Sequence, residues 1–597
     1  MSSNHPANPA VAETVEPLAG AAPQAMGAEV GGPATGAAIE RLNEAVSALR
    51  TMAIQPLLNR ALAALRADDA QGAAELAIKA LQQDERQGLG WYILAVAREK
   101  INDFRSSIQC FEKALELLPD QVEIANDIGR LAFRLGEKTL AVKLFAHYCA
   151  AVPGSAQGAN NLACALRDLH DYEGAVRALQ AAIAANPEDS MLWNTLGTVL
   201  GDQGLPEKSL VFFEEALRLT PQFAKARYNL GNTRLDLGDP VGALADCDAA
   251  IRISADPADL AMMHLARSSI LLCQGRVAEG WAEYESRLDP ASAMTVRFAV
   301  ERGLWTPDQD LKGRRLLLMG EQGLGDEVLF GNLIPDLIAE LGDEAYLSLV
   351  LETRLVPLFQ RSFPRAHVSA HATAKIDGHT YRSAPAADWS QVDLWAPMAS
   401  LLRRFRPTIE SFPTEPGFLT PDPQRVAHWR AWLDTLPGPR VGLLWKSLKL
   451  DGARLKQFSP FEQWAPVLAT PGVSFVNLQY GDCQDELAQA REALGVTIWQ
   501  PPGIDLKQDL DDLAALCAAM DLIIGPSNAT TNIAGACAAP IWLISPPSAW
   551  PRLGADRYAW YPTTRLFIAK GFNRWAELMP EVAEALAAFA AGCEGAN

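Results

Sequence analysis

Several things are missing from this 597-residue chain, and each absence removes a class of function. It has no surplus of basic charge: 52 Lys and Arg stand against 71 Asp and Glu, a net charge of -19. A protein that neutralises nucleic-acid phosphates needs the reverse balance. No apolar run reaches the length that spans a bilayer. The opening MSSNHPANPAVAETVEP lacks the basic n-region and compact apolar h-region of a secretory signal. Nine cysteines are dispersed without a Cys-x-x-Cys pair, which fits reduced, mostly buried thiols and a cytoplasmic protein. No P-loop or G-x-S-x-G motif is present. His367, His371 and His379 lack a carboxylate or Cys at ligand spacing, so no metal and no cofactor is expected.

What is present falls into two halves. Residues 1–37 are an Ala/Gly/Pro-rich tail with too few large apolar side chains to offset ordering entropy, and are expected to be disordered. Residues 38–290 read as helical, with a fixed period: Pro119, Pro153, Pro187 and Pro221 are each 34 residues apart. Gly129, Gly197 and Gly231 share an offset, as do Gly136, Gly204 and Gly238, and Phe111, Phe145 and Phe213. Small residues allow close helix approach, aromatics fill the gap, and the prolines stop the second helix. The pattern resembles tetratricopeptide repeats, α-solenoids whose concave face holds polypeptides. Asn160, Asn161, Asn194, Asn229 and Asn232 lie on first helices, where an amide can bond a peptide backbone; they are candidate acceptor contacts.

Beyond residue 290 short apolar runs alternate with helical stretches, the mark of parallel sheets covered by helices. The expected division is 291–412 for one α/β half, a Pro-rich linker at 413–424 and 425–597 for the other. Two such halves enclose a cleft at the carboxyl ends of their strands.

The residues here carry a family resemblance. GWAEYESR (280–287), LKGRRLLLMGEQGLGDEVLFGNLIP, VGLLWKS (441–447) and DLIIGPSNATTNIAGACAAPIWLI (521–544) resemble the bacterial tetratricopeptide-repeat glycosyltransferases, and the last is similar to the heptosyltransferases. The order of motifs agrees over about 265–575. WKSLKLDGARLKQFSPFEQWAPV and SAWPRLGADRYAWYPTTRLF most resemble the alphaproteobacterial flagellin-modifying enzymes. The resemblance implies a metal-independent enzyme with two Rossmann-like halves (the GT-B fold). It would move a nucleotide-activated nonulosonic acid such as pseudaminic acid to Ser or Thr of flagellin held by the repeats, in support of flagellum assembly and motility. A non-catalytic flagellin adaptor, or a transferase with another acceptor, are the alternatives.

Glycosyl transfer needs a base for the acceptor hydroxyl and neutralisation of the leaving phosphate. Asp326, following Gly323 and Gly325 at a strand-to-helix turn, is the candidate base, with Glu321 and Glu327 close enough to substitute. A helix cap is the competing role for Asp326. Lys446, Lys449, Arg454 and Lys456 follow the strand VGLLW, where a leaving phosphate would sit. Ser527, Asn528, Thr530, Thr531 and Asn532 form a helix-opening turn suited to the nucleotide. In this turn Ser527 and Asn528 replace the heptosyltransferase Asp-Thr, and the His near the helix start is missing. That departure puts ADP in doubt and is compatible with a CMP-linked sugar. Gln479 and Tyr480 end a strand facing the same cleft.

Overall fold

The computed structural model describes residues 33–292, 295–376, 379–447 and 457–594. The chain forms two compact units, dividing after Gln121. Most of the expected tail lies outside the described residues; the helix Pro33–Arg66 already covers its last five positions. The first unit continues with helices Ala70–Gln83, Gly88–Lys100 and Phe104–Leu117.

The second unit opens with helix pairs running from Glu123–Arg134 to Val277–Tyr284, the later part of a tetratricopeptide-repeat solenoid. The 34-residue period has a backbone cause. Between the helices of successive pairs, Asp68, Asn102, Gly136, His170, Gly204 and Gly238 take φ values of 61°, 63°, 87°, 63°, 88° and 86°. Glycine enters this left-handed region without penalty, and Asp, Asn and His are among the side chains that tolerate it. The second helices Phe104–Leu117, Lys138–Ala151, Tyr172–Ala185 and Pro206–Leu219 each stop two residues before one of the periodic prolines.

Within pairs, glycine makes room for phenylalanine. A Cβ on Gly129 would lie 2.6 Å from the Phe145 ring, and one on Gly197 2.7 Å from the Phe213 ring. Gly197→Val is therefore expected to destabilise the second unit by about 1–3 kcal/mol. Urea unfolding followed by circular dichroism should show a lower midpoint with an unchanged slope. An unmoved midpoint would mean that Phe213 repacks freely.

After the repeats come fourteen strands among the described residues. β1 (Arg297–Phe298), β2 (Gly303–Leu304), β3 (Arg315–Met319), β4 (Tyr346–Leu351), β5 (His367–Ala370), β6 (Ala372–Ile376), β7 (His379–Ser383) and β8 (Leu394–Pro397) build the first half. Its main sheet has the order β2-β8-β3-β4-β5 with every pairing parallel. β1, β7 and β6 form a small side sheet. The second half contains β9 (Arg440–Leu443), β10 (Ser474–Asn477), β11 (Ile498–Trp499), β12 (Leu522–Pro526), β13 (Ile541–Ser545) and β14 (Thr564–Ile568). Their order is β11-β10-β9-β12-β13-β14, again parallel throughout. Strand order reverses between β3 and β8 and between β9 and β12. Such switch points open a crevice at the carboxyl ends of the strands.

One apolar core joins these parts. It runs from Leu272 and Trp281 of the last helix pair through Leu316 and Leu318 of β3 to Ile523 and Ile541 of the second sheet. Trp281, fully buried, sits 5.9 Å from Trp550 and 6.2 Å from Trp560, ring centre to ring centre. Its indole N–H donates to the Arg406 carbonyl at 2.9 Å. In the stretch read as a linker, the N–H groups of Phe418 and Leu419 both donate to the carbonyl of Ala536, and a helix starts at Pro423. Those bonds fasten the stretch to the second half. No helix among the described residues is long and apolar enough to cross a membrane.

Candidate functional site

A cavity of about 470 Å³ lies where the carboxyl ends of β3, β9, β12 and β13 face one another. Gly323, Gly325 and Asp326 line it from the first half, and Ser527, Asn528 and Asn532 from the second. Six residues expected at a cleft are thus brought together there.

The GEQGLGDE loop is held from beneath by buried charge. Arg287, from the last repeat, donates to Glu321 through Nε (2.6 Å) and Nη2 (2.9 Å). Both side chains are 1% exposed. Glu321 also accepts from the Ala399 N–H at 2.7 Å. The carboxylate is consumed by structure and does not line the cavity, so the expected catalytic role for Glu321 is corrected. Glu327 is likewise buried, accepting from Arg382, the Glu352 N–H and, through a 3.1 Å contact, His371. Arg382 donates as well to the carbonyls of Gly320 (2.6 Å) and Gln322 (2.7 Å), with Gln322 at φ 60°. A rigid, strained turn results, and the helix Leu324–Phe330 begins from it.

Asp326 sits at the third position of that helix. Its Oδ2 accepts from the Gly323 N–H at 3.0 Å, so it is a cap and a cavity-lining acid at once. Two phenols, Tyr284 and Tyr558, feel its charge. Burial pushes both well above the ordinary tyrosine range, with the Asp326 charge adding to the shift. They stay protonated and able to donate. Tyr558 is 3.4 Å from the Ser527 hydroxyl.

Opposite, the helix Ala529–Ala536 opens toward the cavity. Asn528 caps it, its Oδ1 accepting from the Thr531 N–H at 3.2 Å. The Asn528 Nδ2 is buried with no hydrogen-bond partner among the described residues. The two helix starts touch: Asn532 Nδ2 donates to the Gly325 carbonyl at 2.9 Å. A Cβ on Gly325 would lie 3.2 Å from the Ala529 N and Cα, backbone atoms with little freedom to retreat. Gly325→Val is expected to push the two starts apart and cost about 1–3 kcal/mol. A thermal midpoint equal to wild type would show the contact to be soft.

Other expected residues stand elsewhere. Thr530 and Thr531 are 1% exposed, and the Thr531 hydroxyl donates to the Pro526 carbonyl at 3.0 Å, which makes it part of the cap. Gln479 is also buried: its Oε1 accepts from the N–H groups of Trp445 (3.0 Å) and Lys446 (2.9 Å), fixing the chain after β9. Its neighbour Tyr480 lines the cavity instead. Lys446 pairs with Glu486 and lines a second cavity instead of the first. Lys449, Arg454 and Lys456 lie outside the described residues; Ser447 and Gln457, which border that run, line the first cavity. No Lys or Arg is among the described residues that line it. No group of three or more His, Cys, Asp and Glu among the described residues could hold a metal ion.

The repeat asparagines bond side chains of the repeats themselves. Asn161 donates to Asn126 at 3.0 Å, Asn229 to Asn194 at 2.9 Å, and Asn160 accepts from Thr195 at 2.5 Å. Asn232 bonds Tyr228. The residues missing from the sequence reading are Arg287, Arg382, Tyr558 and Trp550. Three of the four lie in runs already conspicuous, GWAEYESR and SAWPRLGADRYAWYP, whose aromatic and basic content was their signal.

Protein FlbA of Caulobacter vibrioides is 55% identical to this chain over 505 residues, covering 84% of this chain and 85% of FlbA. The chain belongs to the FlbA family. At 505 residues the match is longer than either the repeats or the α/β region alone, so it takes in parts of both. A tetratricopeptide-repeat family model matches residues 94–156, 160–222 and 194–259. The peroxisomal targeting signal receptor of Candida glabrata is 34% identical over 68 residues, 11% of this chain and 12% of the receptor. Among solved structures, a tetratricopeptide repeat protein from Parabacteroides merdae aligns with 39% of this chain and 91% of its own, at 15% identity and TM-score 0.36. YrrB, described as a repeat protein with an unusual peptide-binding site, aligns with 31% of this chain and 94% of its own, at 23% identity and TM-score 0.26.

Proposed function

We propose that this FlbA-family protein is a metal-independent glycosyltransferase of GT-B architecture that modifies flagellin held by its repeats. The donor would be a nucleotide-activated nonulosonic acid, CMP-linked pseudaminic acid being the leading candidate, and the product flagellin competent for flagellum assembly and motility. One observation carries the reading. Asp326 from one parallel-sheet half and the Ser527–Asn528 turn from the other line a single cavity at both switch points.

The chemistry follows from that placement. Asp326 takes the proton of a Ser or Thr hydroxyl as its oxygen attacks the anomeric carbon. The bond from that carbon to the nucleotide phosphate breaks, and the phosphate leaves with the electron pair. Backbone N–H groups opening the Ala529–Ala536 helix, with the Ser527 hydroxyl and the Asn528 amide, meet the charge on the departing phosphate. Buried tyrosines exclude water and keep the local dielectric low.

The test is the intact mass of flagellin from cells with and without the protein. Loss of a nonulosonic acid mass on deletion supports the reading, and identical masses overturn it. One feature favours a second reading, a non-catalytic flagellin adaptor: the capping bond of Asp326 accounts for that residue without catalysis. An adaptor would leave the flagellin mass unchanged while repeat binding persisted.

A further inference from the structure

A second cavity, of about 460 Å³, lies where the repeats meet the second α/β half. The repeat side contributes Tyr172 and the turn Asp202–Gly204; the other side contributes Phe458, Phe461 and Phe572. Phe458 also lines the cavity that holds Asp326, so the two spaces adjoin through one ring. The transferase reading above leaves this second space without a role.

We infer that this groove holds an extended segment of the acceptor polypeptide and leads its hydroxyl past Phe458 toward Asp326. The inference rests on the transferase reading, and four observations favour a polypeptide occupant. The groove is walled on one side by repeats and on the other by the half that forms the donor side, which is the route an acceptor bound to the repeats would take. At Gly204 there is open space: an added Cβ would meet nothing within 4 Å. The repeat register that places Gln203 at the groove places Leu135 and Leu169 on the surface, 40% and 41% exposed. Two exposed leucines on successive repeat turns thus precede the groove, and only an extended chain could meet both and the groove together. Among the described residues the lining charges are Asp202, Glu462 and Glu486 against Lys446; Lys446 pairs with Glu486, and Asp202 lies 3.5 Å from Arg167. Acidic groups on the described lining favour a segment poor in carboxylates.

The test is site-specific photocross-linking in cells, with a benzophenone amino acid at Gln203 or Asn573. Both are exposed and neither belongs to the proposed catalytic machinery. Leu494, exposed at the other end of the helix Gln484–Leu494 from the groove-lining Glu486, is the control. The expected result is at least tenfold more cross-linked flagellin from Gln203 and Asn573 than from Leu494, mapped to one flagellin segment poor in Asp and Glu. Flagellin that carries its added sugar mass but yields no cross-link above the control overturns the groove and leaves the transferase reading standing. Cross-links from these positions to carbohydrate alone overturn it too. Flagellin without added mass in wild-type cells removes the transferase reading, and this inference with it.

Discussion

Arg287→Ala is expected to destabilise the second unit by about 3–5 kcal/mol, the cost of leaving one member of a buried ion pair uncompensated. The magnitude follows from geometry. Glu321 and Arg287 are each 1% exposed, so water cannot replace the lost guanidinium. The same guanidinium donates to Glu285 at 2.7 Å, to the Tyr284 carbonyl at 3.1 Å and to Ser400 at 2.9 Å. Urea denaturation of the full chain reads the loss as a drop in midpoint. Combining Arg287→Met with Glu321→Gln should recover most of it. Glutamine removes the stranded charge yet keeps an acceptor for the Ala399 N–H, which would otherwise cost about 1–3 kcal/mol as an unsatisfied buried donor. A double variant no more stable than Arg287→Ala would show that packing around Arg287, not charge, dominates.

Asp326→Asn carries the second large effect, an expected fall of about 10²–10⁴-fold in the rate of flagellin modification, the usual worth of a positioned general base. Asparagine can still accept from the Gly323 N–H, so the helix start should survive. Asp326→Ala removes base and cap together, adding about 1 kcal/mol of lost stability. The two variants therefore separate the two roles of one carboxylate. Timed intact-mass measurements of flagellin supply the rate, and thermal unfolding supplies the stability. If Asn modifies flagellin at the wild-type rate while Ala unfolds early, Asp326 is a cap alone.

Much of this was legible from residues in order. The repeat period was visible because glycine and proline report backbone requirements directly. At Asp68, Asn102 and His170 the same left-handed turn was hidden, since those side chains tolerate it without demanding it. Asp326, Ser527, Asn528 and Asn532 could be placed because residues just past parallel strands face a crevice whatever their partners. Lys446 was misjudged for the opposite reason. Its position after β9 was right, but its direction depends on Glu486, forty residues on, and on Gln479 gripping its N–H. Glu321 failed in the same way, because its partner Arg287 lies back in the last repeat. Ion pairing across elements leaves no periodic trace.

The contact of Trp281 with Trp550 and Trp560 bears on where this chain can be cut. Composition changes near residue 290, and a truncation placed there looks natural. It would strip the last helix pair from its aromatic bed, baring Trp550 and Trp560 on one fragment and Trp281 on the other, and it would separate Arg287 from Glu321. The severable joint is near Gln121 instead. From Val122 onward the chain is one compact unit, in which the last helix pair and both α/β halves share a single apolar core.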